Sequence, residues 1–95
     1  MSGELARAEI VADGLVQGVG FRYFVLKNAQ QLKLTGFAKN LFSGEVLTVV
    51  EGEKSLIEEL YLKIKIGPMH ADVRKSRIIW QEFKNEFSDF QIHGW

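Results

Sequence analysis

Between Gly14 and Phe24 the chain reads GLVQGVGFRYF, with Gly14, Gly18 and Gly20 followed at once by Arg22. Each glycine costs backbone entropy on folding, so the cluster marks a special chain path or a close approach by something outside the chain. Gly18 and Gly20 allow successive N–H groups to turn to one side, the kind of nest that binds an anion. A helix read from Phe21 onward has no Ser, Thr, Asp or Asn immediately before it as a cap. Its first amides are then open to a ligand, and the helix dipole favours a negative one. Arg22, at that mouth, carries a permanent charge and a fork of donors suited to two phosphate oxygens. The chemistry this spacing supports is phosphate binding. It is not a standard nucleotide loop. No Gly-Lys-Ser or Gly-Lys-Thr closes the stretch, and Phe21, Arg22 and Tyr23 follow Gly18-Val19-Gly20 where a Rossmann turn needs a third glycine. The residues alone leave two accounts open: a phosphate cradle, or a tight glycine-rich connection from strand to helix.

The elements that must position this stretch are legible on either side of it. In ELARAEIVAD, Ala6, Ala8, Ile10 and Ala12 alternate with Arg7, Glu9, Val11 and Asp13, the pattern of a strand with two different faces. FRYFVLKNAQQLKL places Phe21, Val25, Ala29 and Leu32 on one helical stripe, with Lys27, Asn28, Gln30 and Gln31 largely off it. TGFAKNL is a short strand, Ser43-Gly44 a turn, and EVLTVVE a β-branched strand that ends at Gly52. EKSLIEELYLKIKI carries Ile57, Leu60 and Ile64 on one helical face, with Ser55 and Glu58 spaced for a capping box unless the helix begins at Glu53. Gly67-Pro68 stops it. ADVRKSRIIWQEF and FSDFQIHGW are two further extended runs with a turn expected around Asn85. The order β-α-β-β-α-β is the ferredoxin-like plan: an α+β two-layer sandwich, an antiparallel sheet with two helices on one face. One domain over residues 1–95 is expected, because ninety-five residues make a single modest core.

Composition narrows the function classes. Twelve basic and twelve acidic residues give net charge zero, which argues against broad binding to nucleic acid or an anionic membrane while leaving room for a local patch. With no cysteine, thiolate catalysis, cysteine metal sites and disulfides are excluded. No run approaches the ~20 apolar residues of a membrane span, and the first residues lack a signal-peptide layout, so a cytoplasmic protein is expected.

Two motifs then decide between the open accounts. GLVQGVGFR is a complete G-x-V-Q-G-V-x-F-R signature, and GFAKN at Gly36–Asn40 matches G-x-x-x-N on the next strand. With GPMHADV leading into the fourth strand, the chain resembles the acylphosphatases over essentially its whole length. Ala38 and Lys39 depart from the larger aliphatic residue and arginine often found there. The resemblance implies a hydrolase that splits the carboxyl–phosphate bond of small acyl phosphates into a carboxylate and phosphate. It implies Arg22 as the catalytic arginine that holds the phosphate, and the backbone amides of Gln17, Gly18, Val19, Gly20, Phe21 and Arg22 beside it. It implies Asn40 as the group that positions the attacking water. No metal or cofactor is expected. Inorganic phosphate is expected as product and competitive inhibitor, and a monomer as the working form. The alternative is a non-catalytic module of the same fold that binds a phosphate or carboxylate metabolite, or RNA. For RNA, TGFAKNLF offers only a fragment of the aromatic motif, on the wrong strand.

The remaining candidates read as structural. His70 and His93 lie outside both motifs and lack metal-site spacing. Asp13 before the loop reads as a solvated strand end rather than a base. Phe21, Phe24, Phe37 and Trp80 are expected in the core, and Lys75–Arg77 on a solvated strand edge. Trp95 is left open between packing on the sheet and standing free.

Overall fold

The computed structural model describes residues 3–94. Trp95, and with it the open choice about its packing, lies outside the described residues. The chain order is β1 (Leu5–Leu15), α1 (Phe21–Gln31), β2 (Thr35–Asn40), β3 (Val46–Glu53), α2 (Lys54–Ile66), β4 (Asp72–Gln81) and β5 (Phe90–His93). The strands form one sheet in the order β4-β1-β3-β2-β5. β1 runs antiparallel to both β3 and β4, and β2 antiparallel to β3. The sequence's ferredoxin-like α+β reading holds. The second of the two C-terminal extended runs adds a fifth strand, β5, parallel to β2, so the sheet is mixed rather than antiparallel throughout.

The alternation in β1 works as its pattern requires. Ala6, Ala8, Ile10 and Ala12 all enter the core, where they meet Val25 and Ala29 from α1 and Ile57, Leu60 and Ile64 from α2. The small alanines let the helices approach closely. Each large aliphatic side chain buried there stabilises by ~1.5–3 kcal/mol. Phe21 is buried and Phe24 packs against the same cluster. α1 is shorter than its periodicity suggests. Lys33 takes a left-handed backbone (φ 58°), and the Leu34 amide bonds back to the Ala29 carbonyl at 2.9 Å, closing the helix at Gln31. The Ser55–Glu58 capping box does not form. Glu53 is the cap residue, the Lys54 amide is taken by the Glu4 carbonyl, and Ser55 already lies inside the helix.

The other face of the sheet carries no helix, yet it is partly covered. β4 and β5 occupy opposite edges, so residues 82–89 must cross that face to join them. They are fastened there by Glu51. Its carboxylate accepts the amides of Lys84 (2.7 Å) and Glu86 (2.8 Å) and faces Arg7 at 3.4 Å. Arg7 also pairs with Glu86 at 2.7 Å and lies over the Phe87 ring. Glu51 is 1% exposed. Burial alone pushes its carboxyl up, but the two amides and Arg7 outweigh it and hold it below the usual carboxylate range. Phe37 belongs to this face, not to the helix-side core: it meets Phe87 edge-on and His93 in a stack at 4.5 Å. Trp80 sits at the sheet's edge, 36% exposed, beneath the Lys54 ammonium. Asn85 takes a left-handed backbone, φ 53°, within the irregular crossing segment, where the sequence suggests a turn.

Candidate active site

The glycine-rich loop leaves the end of β1 and enters α1. Gly18 and Gly20 both adopt φ 76°, a left-handed backbone that side chains rarely take. A Cβ built on either would meet no protein atom within 4 Å. The loop therefore needs glycine for its path, and the space above it is open. Gly20 is itself the cap residue of α1, and no side chain caps the helix. The first-turn amides point outward without an intrahelical acceptor, as in any helix start.

Facing this loop is a cavity of about 190 Å³, lined by Val16, Gly18, Gly20, Phe21, Arg22, Tyr23, Asn40 and Ile92. The two sequence motifs thus meet in one place. Gln17 and Val19 belong to the loop but are not among the lining residues, and Val19 packs partly against the core. Asn40 ends β2 and is 6% exposed. Among the described residues no hydrogen bond ties up its side-chain amide, and the amide atoms are not sealed in the core but open to the cavity that Asn40 lines. Arg22 donates from Nη1 to the His93 carbonyl at 2.9 Å, which braces the guanidinium from β5. No described carboxylate pairs with it, so its charge is not spent internally.

Three features of the site escaped the sequence. Gln17 is more than an amide in the loop. Its Nε2 donates to the carbonyls of Leu41 (2.7 Å) and Glu45 (2.9 Å), tying the loop to the turn that follows Asn40. Ile92 and His93 arrive because β5 lies beside β2, a pairing no local pattern announces. The third had a signal in plain view. None of the twelve acidic residues falls between Gly14 and Gly44, whereas Arg22, Lys27, Lys33 and Lys39 all do. A neutral protein therefore concentrates positive charge in the segment that carries the cavity-lining Arg22, and such a field steers anions toward it.

The remaining candidates stay apart. His70 is exposed and is not among the cavity's lining residues, and Asp13 lies opposite Lys75 on the helix-free face. Lys75 and Arg77 are exposed on the edge strand β4, as expected. Among the described residues no three His, Asp or Glu side chains group to hold a metal, and no helix is long and apolar enough to cross a membrane.

The family model of the acylphosphatases matches residues 8–92. An acylphosphatase of Moorella thermoacetica is 40% identical over 90 residues, covering 95% of this chain and 96% of the relative. The crystal structure of the Bacillus subtilis acylphosphatase superposes with a TM-score of 0.90 at 32% identity, covering 96% of this chain and all of that one. Full-length HypF, solved in a phosphate- and nucleotide-bound form, contains a similar unit: TM-score 0.88 at 36% identity, covering 99% of this chain and 12% of HypF. The matched residues run through both the Gly18–Arg22 loop and Asn40, and hydrolysis of acyl phosphates is the activity that goes with them. This chain belongs to the acylphosphatase family.

Proposed function

We propose that the cavity hydrolyses small acyl phosphates with Arg22 and the loop amides of Gln17, Gly18, Val19, Gly20, Phe21 and Arg22 holding the phosphoryl group, and Asn40 placing the water. The observation that carries this reading is the convergence of two left-handed glycines, an uncapped helix start, Arg22 and the cavity-facing amide of Asn40 on one cavity.

The water oxygen attacks phosphorus as the bond from phosphorus to the carboxylate oxygen breaks. The electron pair of that bond leaves with the carboxylate, and the water proton passes to a phosphate oxygen. A carboxylate leaving group has a conjugate-acid pKa of about 4, so no general acid is required. Phosphoryl transfer of this kind depends on alignment and on charge stabilisation. Arg22 supplies a fixed cation and the nest supplies oriented amides where charge collects in the transition state. The brace from His93 removes freedom from the guanidinium before substrate arrives.

The test is hydrolysis of benzoyl phosphate by the purified protein against an enzyme-free blank, with Arg22→Ala and Arg22→Lys beside it. Arg22→Ala is expected to lose at least ~10²-fold in kcat/KM and to weaken inhibition by inorganic phosphate. Arg22→Lys is expected to recover little, because a point charge does not reproduce the fork. Near-normal kinetics in folded Arg22→Ala refute the assignment, and phosphate binding without turnover in the wild type points to a binding module instead.

A further inference from the structure

We propose that the groove adjoining the phosphate cavity is the acyl subsite, and that Tyr23 and Lys27 favour acyl phosphates bearing a flat apolar body with a second anionic group at its far end. This inference rests on the hydrolase reading above. The groove measures about 340 Å³ and shares Gly20 and Tyr23 with the phosphate cavity, so a molecule anchored by its phosphate at the loop lies beside it and can extend into it.

Its walls differ in character from those of the cavity. Tyr23, Phe24 and Pro68 present rings, and the Asn28 amide, bonded to the Phe24 carbonyl at 2.8 Å, stiffens one side. Tyr23 is 59% exposed on the first turn of α1, next in sequence to Arg22. A large aromatic left in water at the rim of a phosphate site has a surface to offer a planar acyl group.

Lys27 follows one turn later, with its ammonium 5.8 Å from the centre of the Tyr23 ring. Among the described residues it has no carboxylate partner. No acidic residue lies anywhere in α1 or its flanking loops to compete for it. At 1.5 Å per residue, the axis from Gly20 to Lys27 advances by about 10 Å, a span that one aromatic ring between two acid groups can bridge. The anionic end of such a substrate meets Lys27 while the phosphate meets the loop. A substrate with only a methyl group as its acyl part leaves the groove empty.

The test compares 4-carboxybenzoyl phosphate with benzoyl phosphate as a ratio of kcat/KM. Wild type is expected to favour the carboxylated compound. Lys27→Met is expected to lower that ratio about threefold, carried by KM, the size of one partly exposed ion pair. Lys27→Glu, which replaces attraction by repulsion, is expected to lower it about tenfold. Lys33→Met removes the same charge from the end of α1 without touching the groove, and is expected to leave the ratio where it was. Tyr23→Ala is expected to raise KM for benzoyl phosphate more than for acetyl phosphate. A ratio unmoved by Lys27→Glu, or moved equally by Lys33→Met, overturns the subsite while leaving the hydrolase intact. Failure to hydrolyse any of the three compounds overturns the hydrolase reading and the subsite with it.

Discussion

Replacing Gln17 with alanine tests the proposed division between a loop that holds the phosphate and an Asn40 that places the water. The loop belongs to the β1–α1 connection, and Asn40 belongs to the end of β2. The Gln17 side chain spans the gap with two hydrogen bonds, at 2.7 and 2.9 Å, to the Leu41 and Glu45 carbonyls. Each such bond contributes ~0.5–1.5 kcal/mol net. Both carbonyls keep another donor: Leu41 accepts the Gly44 amide at 3.0 Å, and Glu45 accepts the Leu41 amide at 2.8 Å. The stability loss should therefore fall near the lower end of the combined range, about 1–1.5 kcal/mol. In a domain of this size that lowers Tm by roughly 4–12 °C and leaves a folded protein. The kinetic effect should be larger than the stability effect implies. Misplacement by ~1 Å can cost ~10²-fold in a reaction governed by alignment. Buried Val16 and Phe21 still anchor the loop at both ends, so about tenfold in kcat is expected. In the proposed site inorganic phosphate needs only the loop and Arg22, so its inhibition constant should change less than threefold. The assay is benzoyl phosphate hydrolysis with phosphate as inhibitor, alongside a thermal melt. A lowered Tm with kcat and the inhibition constant both at wild-type values would refute the idea that Gln17 sets the geometry between the two halves of the site.

Other outcomes are expected from the same structure. Asn40→Ala should fold, retain competitive inhibition by phosphate through Arg22, and lose roughly 10²–10³-fold in kcat, whereas intact turnover with lower stability would reduce Asn40 to a turn residue. Asn40→Asp should also weaken phosphate inhibition, because a carboxylate on the cavity wall repels the bound anion. Turnover should survive exhaustive chelation, and recovery only on adding magnesium would place a metal in the site. Glu51 is held below its ordinary pKa, so its stabilisation is present above the unfolded value of ~4.3 and is lost as pH falls through the lower folded value. Urea melts of Glu51→Gln should show lower stability at neutral pH, by about 3 kcal/mol, and a shallower loss of stability as pH falls below the unfolded Glu value of ~4.3. A mutant curve parallel to wild type would disprove the role of its charge.

The sequence was most informative where a feature depends on neighbours along the chain. The alternation of Ala6, Ala8, Ile10 and Ala12 and the stripes of Phe21, Val25, Ala29 and of Ile57, Leu60, Ile64 all point to the core faces that the fold uses. Gly18 and Gly20 fall on the β1–α1 loop and Arg22 on the first turn of α1 that follows it, and Asn40 was placed by its spacing from Gly36. What escaped depends on pairing across the sheet. Arg7 reads as an outward residue of β1, and its burial follows only from the register that sets it opposite Glu51 under residues 82–89. Phe37 is aromatic and lies in a strand, but which face it occupies depends on the strand's register, and the crossing segment gives it company on the helix-free side. The Ser55–Glu58 spacing was a sound local signal that lost to a tertiary one, the Glu4 carbonyl taking the Lys54 amide one position earlier.

The contact between Arg22 and the His93 carbonyl joins residues 71 positions apart. Its consequence concerns order in time. On a ribosome, the glycine loop, α1 and Asn40 emerge while β5 is still unmade, and the chain that has emerged already holds the nest and both motif side chains. Closing so long a loop is slow relative to helix formation, and β5 can dock against β2 only after residues 82–89 have crossed the sheet. An unfinished chain thus has an arginine able to touch phosphate but free to swing. If Arg22 acts as proposed, competence for the reaction arrives with β5, and activity would double as a report that the sheet has closed.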